Sequence, residues 1–511
     1  MPITPTFPGL YIEELPSNAH TITAAATSIL VAVGYTHPNK TRNFNTAVEL
    51  FSFADYEREF GGLYASGIVD NDVPYAVNQF FLNGGTDCFV IGLPARARSS
   101  TGADLGAIPQ ASATVGSVVF SALEPTDLIQ MFVTVDNLQS SDSIADITIS
   151  YGTQSETFRA VTLSTADQDN FIDNRINGKS SLITVAPGGG GYGTTFTAGK
   201  LVPLNSTLPA GFATSFSAAD FISVFQQDGS LDKLPIFNLL ILPGVADNAI
   251  WSAALAFCER KHAFVILDPP AQAAADDSMP PLKKIADLIG VFPTSTNGAL
   301  YFPYIKSNDP LTGNTIELPP SGSVAGIFSR IDVNRGVWKA PAGLEATVNN
   351  TPGVVDRGRM TDQRQGTLNP IGVNCLREFS GIGVVVFGAR TQVTNNSALQ
   401  QWRYVPVRRM ALFLEQTLLA NLGWVVFEPN DEPLWTSIRT SIENFMLSLF
   451  TQGAFQGSTP SQAFRVVCDS TTTTQQDIDN GVVNIIVAFA PLKPAEFVII
   501  KISQLAGQTQ S

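Results

Sequence analysis

A multidomain chain of mixed architecture, α/β joined to α+β, is predicted by three features of the sequence. Strand and helix signals follow one another in β-α-β order near the start and again after residue 217. A segment rich in Ser, Thr, Gly and Asp interrupts that order, and two long amphipathic helices with short strands fill the last third. A length of 511 residues also exceeds what one hydrophobic core serves.

The elements are read in order. Residues 1–20 hold Pro8-Gly9-Leu10-Tyr11-Ile12-Glu13-Glu14-Leu15-Pro16, a short extended run bracketed by prolines and read as a detached arm. Ser28-Ile29-Leu30-Val31-Ala32-Val33-Gly34 reads as a buried strand closed by glycine. Helices are predicted over 54–63 and 73–82, the second with Val73, Ala76, Val77, Phe80 and Phe81 at helical spacing, followed by a buried strand over 87–92. Parallel strands with a crossover helix are the simplest arrangement of that order. Residues 95–216 read as an inserted, exposed all-β domain with strands at 132–135, 145–151 and 157–161. The α/β domain, assigned 21–94 and 217–355, resumes with strands at 235–244, 263–268 and 299–304 and a helix at 249–262.

An α+β C-terminal domain is assigned 356–490. Its helices run over 406–422 and from the Asn430-Asp431-Glu432-Pro433 start signal to Gly453. Strands are expected at 424–427, 464–468 and 482–490. A second arm, 491–511, follows Pro491-Leu492-Lys493-Pro494. Extended, it turns Phe497 and Ile499 to one face and Val498, Ile500 and Ile502 to the other. An apolar run of this kind wants cover on both sides, so it is either tucked into its own domain or lent to a neighbour.

Composition narrows the function. Only 14% of residues are charged and 44% are hydrophobic, which fits a surface covered by other copies or a well-filled globule. The net charge of −14 gives no field for nucleic acid, and no apolar run reaches the ~18 residues of a spanning helix. The start has no signal-peptide pattern, so synthesis in a cytoplasm is expected. Cys88, Cys258, Cys375 and Cys468 lie far apart and read as small buried hydrophobes.

Catalytic candidates are thin. The sequence has three histidines, His20, His37 and His262. Asp268 ends a strand, and Ser321-Gly322-Ser323-Val324-Ala325-Gly326 has the look of a nucleophile turn, but no His-Gly element accompanies it. The Gly193–Lys200 stretch has one residue too many for a phosphate loop and Leu201 where Ser or Thr would ligate magnesium. No catalytic, metal or cofactor site is assigned. Arg403, Arg408 and Arg409 make a basic spot that reads as a locally paired face or as a contact for an acidic protein surface.

The chain resembles the contractile tail sheath family of phage tails, contractile bacteriocins and extracellular contractile injection systems. Pro8-Gly9-Leu10-Tyr11-Ile12-Glu13-Glu14, Phe80-Phe81-Leu82-Asn83-Gly84-Gly85 and Pro319-Pro320-Ser321-Gly322-Ser323-Val324-Ala325-Gly326 carry the resemblance. So do Arg335-Gly336-Val337-Trp338-Lys339-Ala340-Pro341, Leu368-Asn369-Pro370, Gly388-Ala389-Arg390-Thr391 and Trp402-Arg403-Tyr404-Val405. Phe427-Glu428-Pro429-Asn430-Asp431 and Pro494-Ala495-Glu496-Phe497-Val498 complete the set, which spans about 1–95 and 216–505 and leaves out the inserted segment.

The resemblance implies a subtilisin-like α/β domain without protease activity. It also implies arms that add strands to neighbouring copies through Leu10, Tyr11, Ile12, Phe497, Val498, Ile499, Ile500 and Ile502. Hinges are expected at Ser17, Asn18, Leu492 and Lys493, and tube contact at Arg403, Arg408 and Arg409. The implied function is a sheath subunit, assembled as stacked hexameric rings, that contracts around an inner tube and drives it through a target envelope. Implied partners are further copies, the tube protein, baseplate and terminator or cap proteins, and sheath paralogues. The setting is an assembled phage tail or tail-like particle, including particles released from the cell. The rival readings are a subtilisin-like hydrolase and a static coat or shell protein.

Overall fold

The computed structural model describes residues 20–270, 293–355, 360–393 and 396–501. These fall into two compact units: one comprises Thr27–Ile331 and Pro341–Arg403, the other the described residues up to Ala26, Asp332–Ala340 and those from Tyr404 onward.

The first unit is built on an eight-stranded sheet. Its strands are β1 (Leu30–Tyr35), β2 (Ala47–Leu50), β3 (Cys88–Leu93), β4 (Leu239–Ile241), β5 (Phe264–Leu267), β6 (Gly298–Phe302), β7 (Val373–Phe379) and β8 (Gly383–Val386). In space they run β2-β3-β1-β4-β5-β6-β7-β8. The six from β3 to β7 in that row are parallel, and β2 and β8 close the edges antiparallel. Every residue of β1, β4, β5 and β6 is buried, as expected of parallel strands covered on both faces.

Four helices bring that cover: α1 (Phe53–Phe60), α2 (Asp72–Leu82), α3 (Asn248–Arg260) and α4 (Ser321–Arg335). Ser52 caps α1 by accepting from the Asp55 amide, and Asp247 caps α3 by accepting from those of Ala249 and Ile250. Trp251, Leu255 and Cys258 of α3 share a core with Val33, Leu240, Val265 and Phe302 of the sheet. Helix α4 approaches α2 closely enough that a Cβ on Gly322 would lie 2.2 Å from the Ala76 carbonyl oxygen, and one on Gly326 2.4 Å from that of Phe80. The glycines of the nucleophile-like motif are there for helix packing.

Asp268 leaves the end of β5 and meets the start of α4. Its carboxylate, buried, accepts from the Ser321 amide (2.9 Å), the Ser321 hydroxyl (2.5 Å) and the Gly244 amide (3.2 Å). Burial pushes its pKa up to about 7 from the ordinary 3.8, against the downward pull of those hydrogen bonds.

The segment between β3 and β4 forms its own core. Met131–Gln139 and Ile144–Tyr151 alternate buried and half-buried residues over the first five and all eight positions respectively, so that one sheet face is dry. Together with Gln154–Thr162 and Gly199–Pro203 they make a four-stranded antiparallel sheet. Val133, Ile147 and Ile149 share a core with Phe120 and Ile183 of a three-stranded sheet. The two chain crossings are clamped: Asp220 accepts from the Arg98 guanidinium (2.9 Å) and the Tyr35 hydroxyl (3.0 Å), and Tyr35 in turn accepts from the Ser217 amide (2.9 Å).

The main elements of the second unit are α5 (Val405–Asn421), α6 (Glu432–Thr451) and a two-stranded antiparallel sheet of β9 (Phe464–Val467) and β10 (Ile486–Phe489). Met410, Phe413 and Leu414 of α5 share a core with Trp435, Ile438, Ile442, Phe445 and Met446 of α6, and with Val466 and Cys468. Asp431 caps α6, accepting from the Leu434 amide, with Pro433 in the first turn, as the Asn430–Pro433 signal predicts.

Three expectations need correction. The sheet runs past residue 356, where sequence reading began the C-terminal domain: β7 and β8 belong to the first unit, which continues to Arg403. The strand expected at 424–427 is a single tight turn, Gly423–Val425, followed by loop. There the Val426 amide donates to the Gly423 carbonyl, and local turn bonding overrides the β-propensity of an apolar run. Arg409 is buried, and its guanidinium grips both carboxylate oxygens of Asp332 (2.8 and 2.6 Å), so it is not a surface contact.

The buried charges can be tested by unfolding. Arg409→Met leaves the Asp332 carboxylate buried without its partner and should cost about 3–5 kcal/mol in denaturant; adding Asp332→Leu should recover much of that loss. For Asp268 the folded pKa of about 7 lies above the ordinary 3.8. The proton held in the folded state therefore stabilises fully below the lower value, and that advantage is lost as pH rises through the higher one. Each tenfold gain in proton affinity on folding corresponds to about 1.4 kcal/mol. Urea unfolding of the wild type and of Asp268→Asn between pH 4 and 8 should show a shallower decline with rising pH in the variant; equal slopes would contradict the assignment.

Candidate assembly site

The hydrolase reading meets its test at Ser321. The Ser321 hydroxyl donates to Asp268 rather than to an imidazole, and the Ser321 amide does the same at the start of α4. The histidines are committed elsewhere. Buried His37 accepts at Nδ1 from the Asn39 amide (3.2 Å), which leaves Nε2 to donate to Glu124 (3.2 Å). Burial lowers the pKa of His37, Lys40 holds the other oxygen of Glu124, and this pairing clips loop to loop. His262 follows α3 at φ +54°, and the His20 ring stacks on Trp424 with centroids 3.9 Å apart. Among the described residues no group of His, Cys, Asp and Glu is arranged to hold a metal ion, and no helix is long and apolar enough to cross a membrane.

The second unit offers a different kind of site. Its sheet has two strands, so the outer edges of β9 and β10 carry no strand partner among the described residues. Beyond β10 the chain is tied down briefly: the Ala490 amide donates to the Ala463 carbonyl, and the Gln456 amide to that of Ala490. From Leu492 to Lys501 no regular structure forms. Phe497, Val498, Ile499 and Ile500 stand 72%, 79%, 81% and 80% exposed, four consecutive large apolar side chains on the outside of the molecule. The Tyr404 hydroxyl reaches Glu496 just before them (3.2 Å).

At the opposite end, the described chain starts against α5. The Thr23 amide donates to Asn421 Oδ1 (2.9 Å), Asn421 Nδ2 donates back to the Thr23 carbonyl (2.8 Å), and the Ala25 amide donates to Thr417 (3.1 Å). Ile22 enters the core of the unit. A groove of about 500 Å³ lies between Glu443, Asn444 and Leu447 of α6 and Phe464, Arg465 and Val466 of β9. Sequence reading passed over this groove. Its one signal was Leu447, an exposed leucine on the face of α6 that also carries Glu443 and Asn444.

Of the residues expected to act, Phe497, Val498, Ile499 and Ile500 are on the surface, and the hinge candidates Leu492 and Lys493 lie in the irregular stretch before them. Leu10, Tyr11, Ile12, Ser17, Asn18 and Ile502 lie outside the described residues. Arg403 belongs to the first unit, while Arg408, on α5, bonds Glu415 (3.3 Å).

Comparison with known proteins identifies the family. The model of the phage tail sheath protein central domain matches residues 230–392, and that of the phage tail sheath C-terminal domain matches 397–504. No curated protein sequence matches. Among solved structures, the chain is similar to the sheath of an extracellular contractile injection system (PVC) in the contracted state, at 21% identity and TM-score 0.60, over 98% of each chain. The contracted helical sheath of the anti-feeding prophage (AFP) is 23% identical with TM-score 0.58, over 98% of this chain and 100% of that one. A chain of the six-fold symmetrised AFP baseplate is 24% identical with TM-score 0.58, over 98% and 99%. The two domain models, in order and together spanning more than half of the sequence, show that the chain belongs to the phage tail sheath family, as a structural sheath subunit.

Proposed function

We propose that this sheath subunit polymerises by strand exchange and works by contraction. Copies stack as hexameric rings around an inner tube, and each rearranges as a rigid body while its arms keep neighbours joined. The observation that carries the reading is the pairing, in one unit, of a two-stranded sheet whose outer edges have no strand partner among the described residues with the exposed apolar run Phe497–Ile500. A strand from a neighbour completes the hydrogen-bond ladder, and alternate side chains set the register.

Magnitudes favour a mesh over a single clasp. Each large side chain buried contributes roughly 1.5–3 kcal/mol. Fixing the backbone costs about 1–2 kcal/mol per residue, and each hydrogen bond returns about 0.5–1.5 kcal/mol net. One arm is near balance, whereas several engaged per subunit hold through effective concentration. Leu492 and Lys493, and Ser17 and Asn18, are the hinges that let arms keep their grip while subunits turn. Contact with an acidic tube surface falls to Arg403 and Arg408.

The reading extends to the larger unit as a subtilisin-like fold without protease activity. What supports it is the parallel sheet with a carboxylate at a strand's C-terminal end facing a serine at a helix start, and a serine proton engaged by that carboxylate. Baseplate and cap proteins are the further partners, in keeping with the baseplate chain among the similar structures. The chain is synthesised in a cytoplasm and acts within a phage tail or tail-like particle.

Removing 494–511 should leave folded, dispersed subunits with an unchanged circular dichroism spectrum. Full-length protein should form cylinders in negative-stain micrographs. Cylinders of normal length from the truncated chain would sink the strand-exchange reading, and labelling of Ser321 by a serine-reactive probe would reinstate the hydrolase.

A further inference from the structure

The exposed run Phe497–Ile500 carries large apolar side chains throughout. Laid down as a strand, it turns Phe497, Ile499 and Lys501 to one side and Val498 and Ile500 to the other. In most strands the hydrophobic pattern decides which face goes inward, because a slip of one residue exchanges the two faces. Here both faces are apolar, so that pattern does not choose between them. Lys501, exposed and closing the run, carries the charge that can.

The groove between α6 and β9 is built to read that charge. No residue of β10 lines it, so it lies along the side of β9 that has no strand partner among the described residues. Its α6 wall presents Glu443 beside Leu447, and its β9 wall presents Arg465, all three exposed. Neither Glu443 nor Arg465 enters an ion pair among the described residues. Along β9, Phe464 and Val466 turn toward the core shared with α6, and Arg465 points the other way. A strand added at this edge would therefore have Glu443 on its inner side and Arg465 beside its outer face.

We infer that Glu443 and Arg465 fix which face of the arm of a second copy is laid against α6. With Phe497 and Ile499 turned inward, toward Leu447, Phe464 and Val466, Lys501 comes down on the side of Glu443. Turned over, the arm sets Lys501 on the side of Arg465, like charge against like. The second copy is indicated by this complementarity: a cation ends the apolar run, an anion stands in the groove, and run and β9 are each four residues long. The inference rests on the strand-exchange reading and adds to it the facing of the strand, obtained by excluding the wrong one.

Charge reversals test this, because both positions are exposed and tolerate exchange. Glu443→Lys and Lys501→Glu should each raise the concentration at which cylinders form, read by sedimentation, at least about threefold. The double variant Glu443→Lys/Lys501→Glu should return to within about twofold of wild type. An equal mixture of the two single variants should also recover, since the reversed arm of one suits the reversed groove of the other. Unchanged thresholds in the single variants, or a double variant no better than they are, overturn the proposal. Recovery in the double variant but not in the mixture also overturns it, because each arm would then occupy its own groove. Normal cylinders from the 494–511 deletion reject strand exchange itself, whereas failure of that deletion alongside unaffected charge reversals rejects only the selection of facing.

Discussion

Main-chain groups on the outer edges of the β9–β10 sheet have no strand to bond among the described residues, and two strands by themselves are marginal in water. The second unit is arranged around that deficit. Helix α6 runs for 20 residues under the sheet and lends it an apolar floor through Phe445, Met446 and Leu449, while Val466 and Cys468 press down from above. The sheet is held against the helix and is two strands wide among the described residues. An arm of four exposed apolar residues leaves the same unit shortly after β10.

The first unit solves the opposite problem. Its parallel strands are dry on both faces and every charged group near their ends must be accounted for. Asp268 shows how: burial favours the protonated acid, and the amides of Ser321 and Gly244 favour the carboxylate. The same carboxyl caps α4, whose glycines let it lie against α2 at backbone distance. A unit packed in this way has little give. The two family models give the molecule that carries this unit the role of a structural sheath subunit.

Much of this was legible in the residues. Leu30–Tyr35 and Phe264–Leu267 announce themselves as unbroken apolar runs bounded by glycine or charge, and α6 announces itself by cap, proline and three–four spacing. The arm at 497–500 was visible because nothing polar interrupts it. What could not be read depends on distant partners. The basic spot at 408–409 looks alike whether or not an aspartate seventy-odd positions earlier waits to bury one member of it. Gly322 and Gly326 fit a nucleophile turn and a helix crossing equally well, because both need small residues, and the structure selects the crossing. β7 and β8 escaped notice as parts of the large sheet because sheet membership is decided by β6, far back in the chain.

The clamp of Arg98, Asp220 and Tyr35 holds the start and finish of the β-rich segment together. A module fixed by its two roots, with a hydrophobic centre of its own, is a graft. A tag fused into its outer loops is held by that separate centre and leaves the eight-stranded sheet undisturbed.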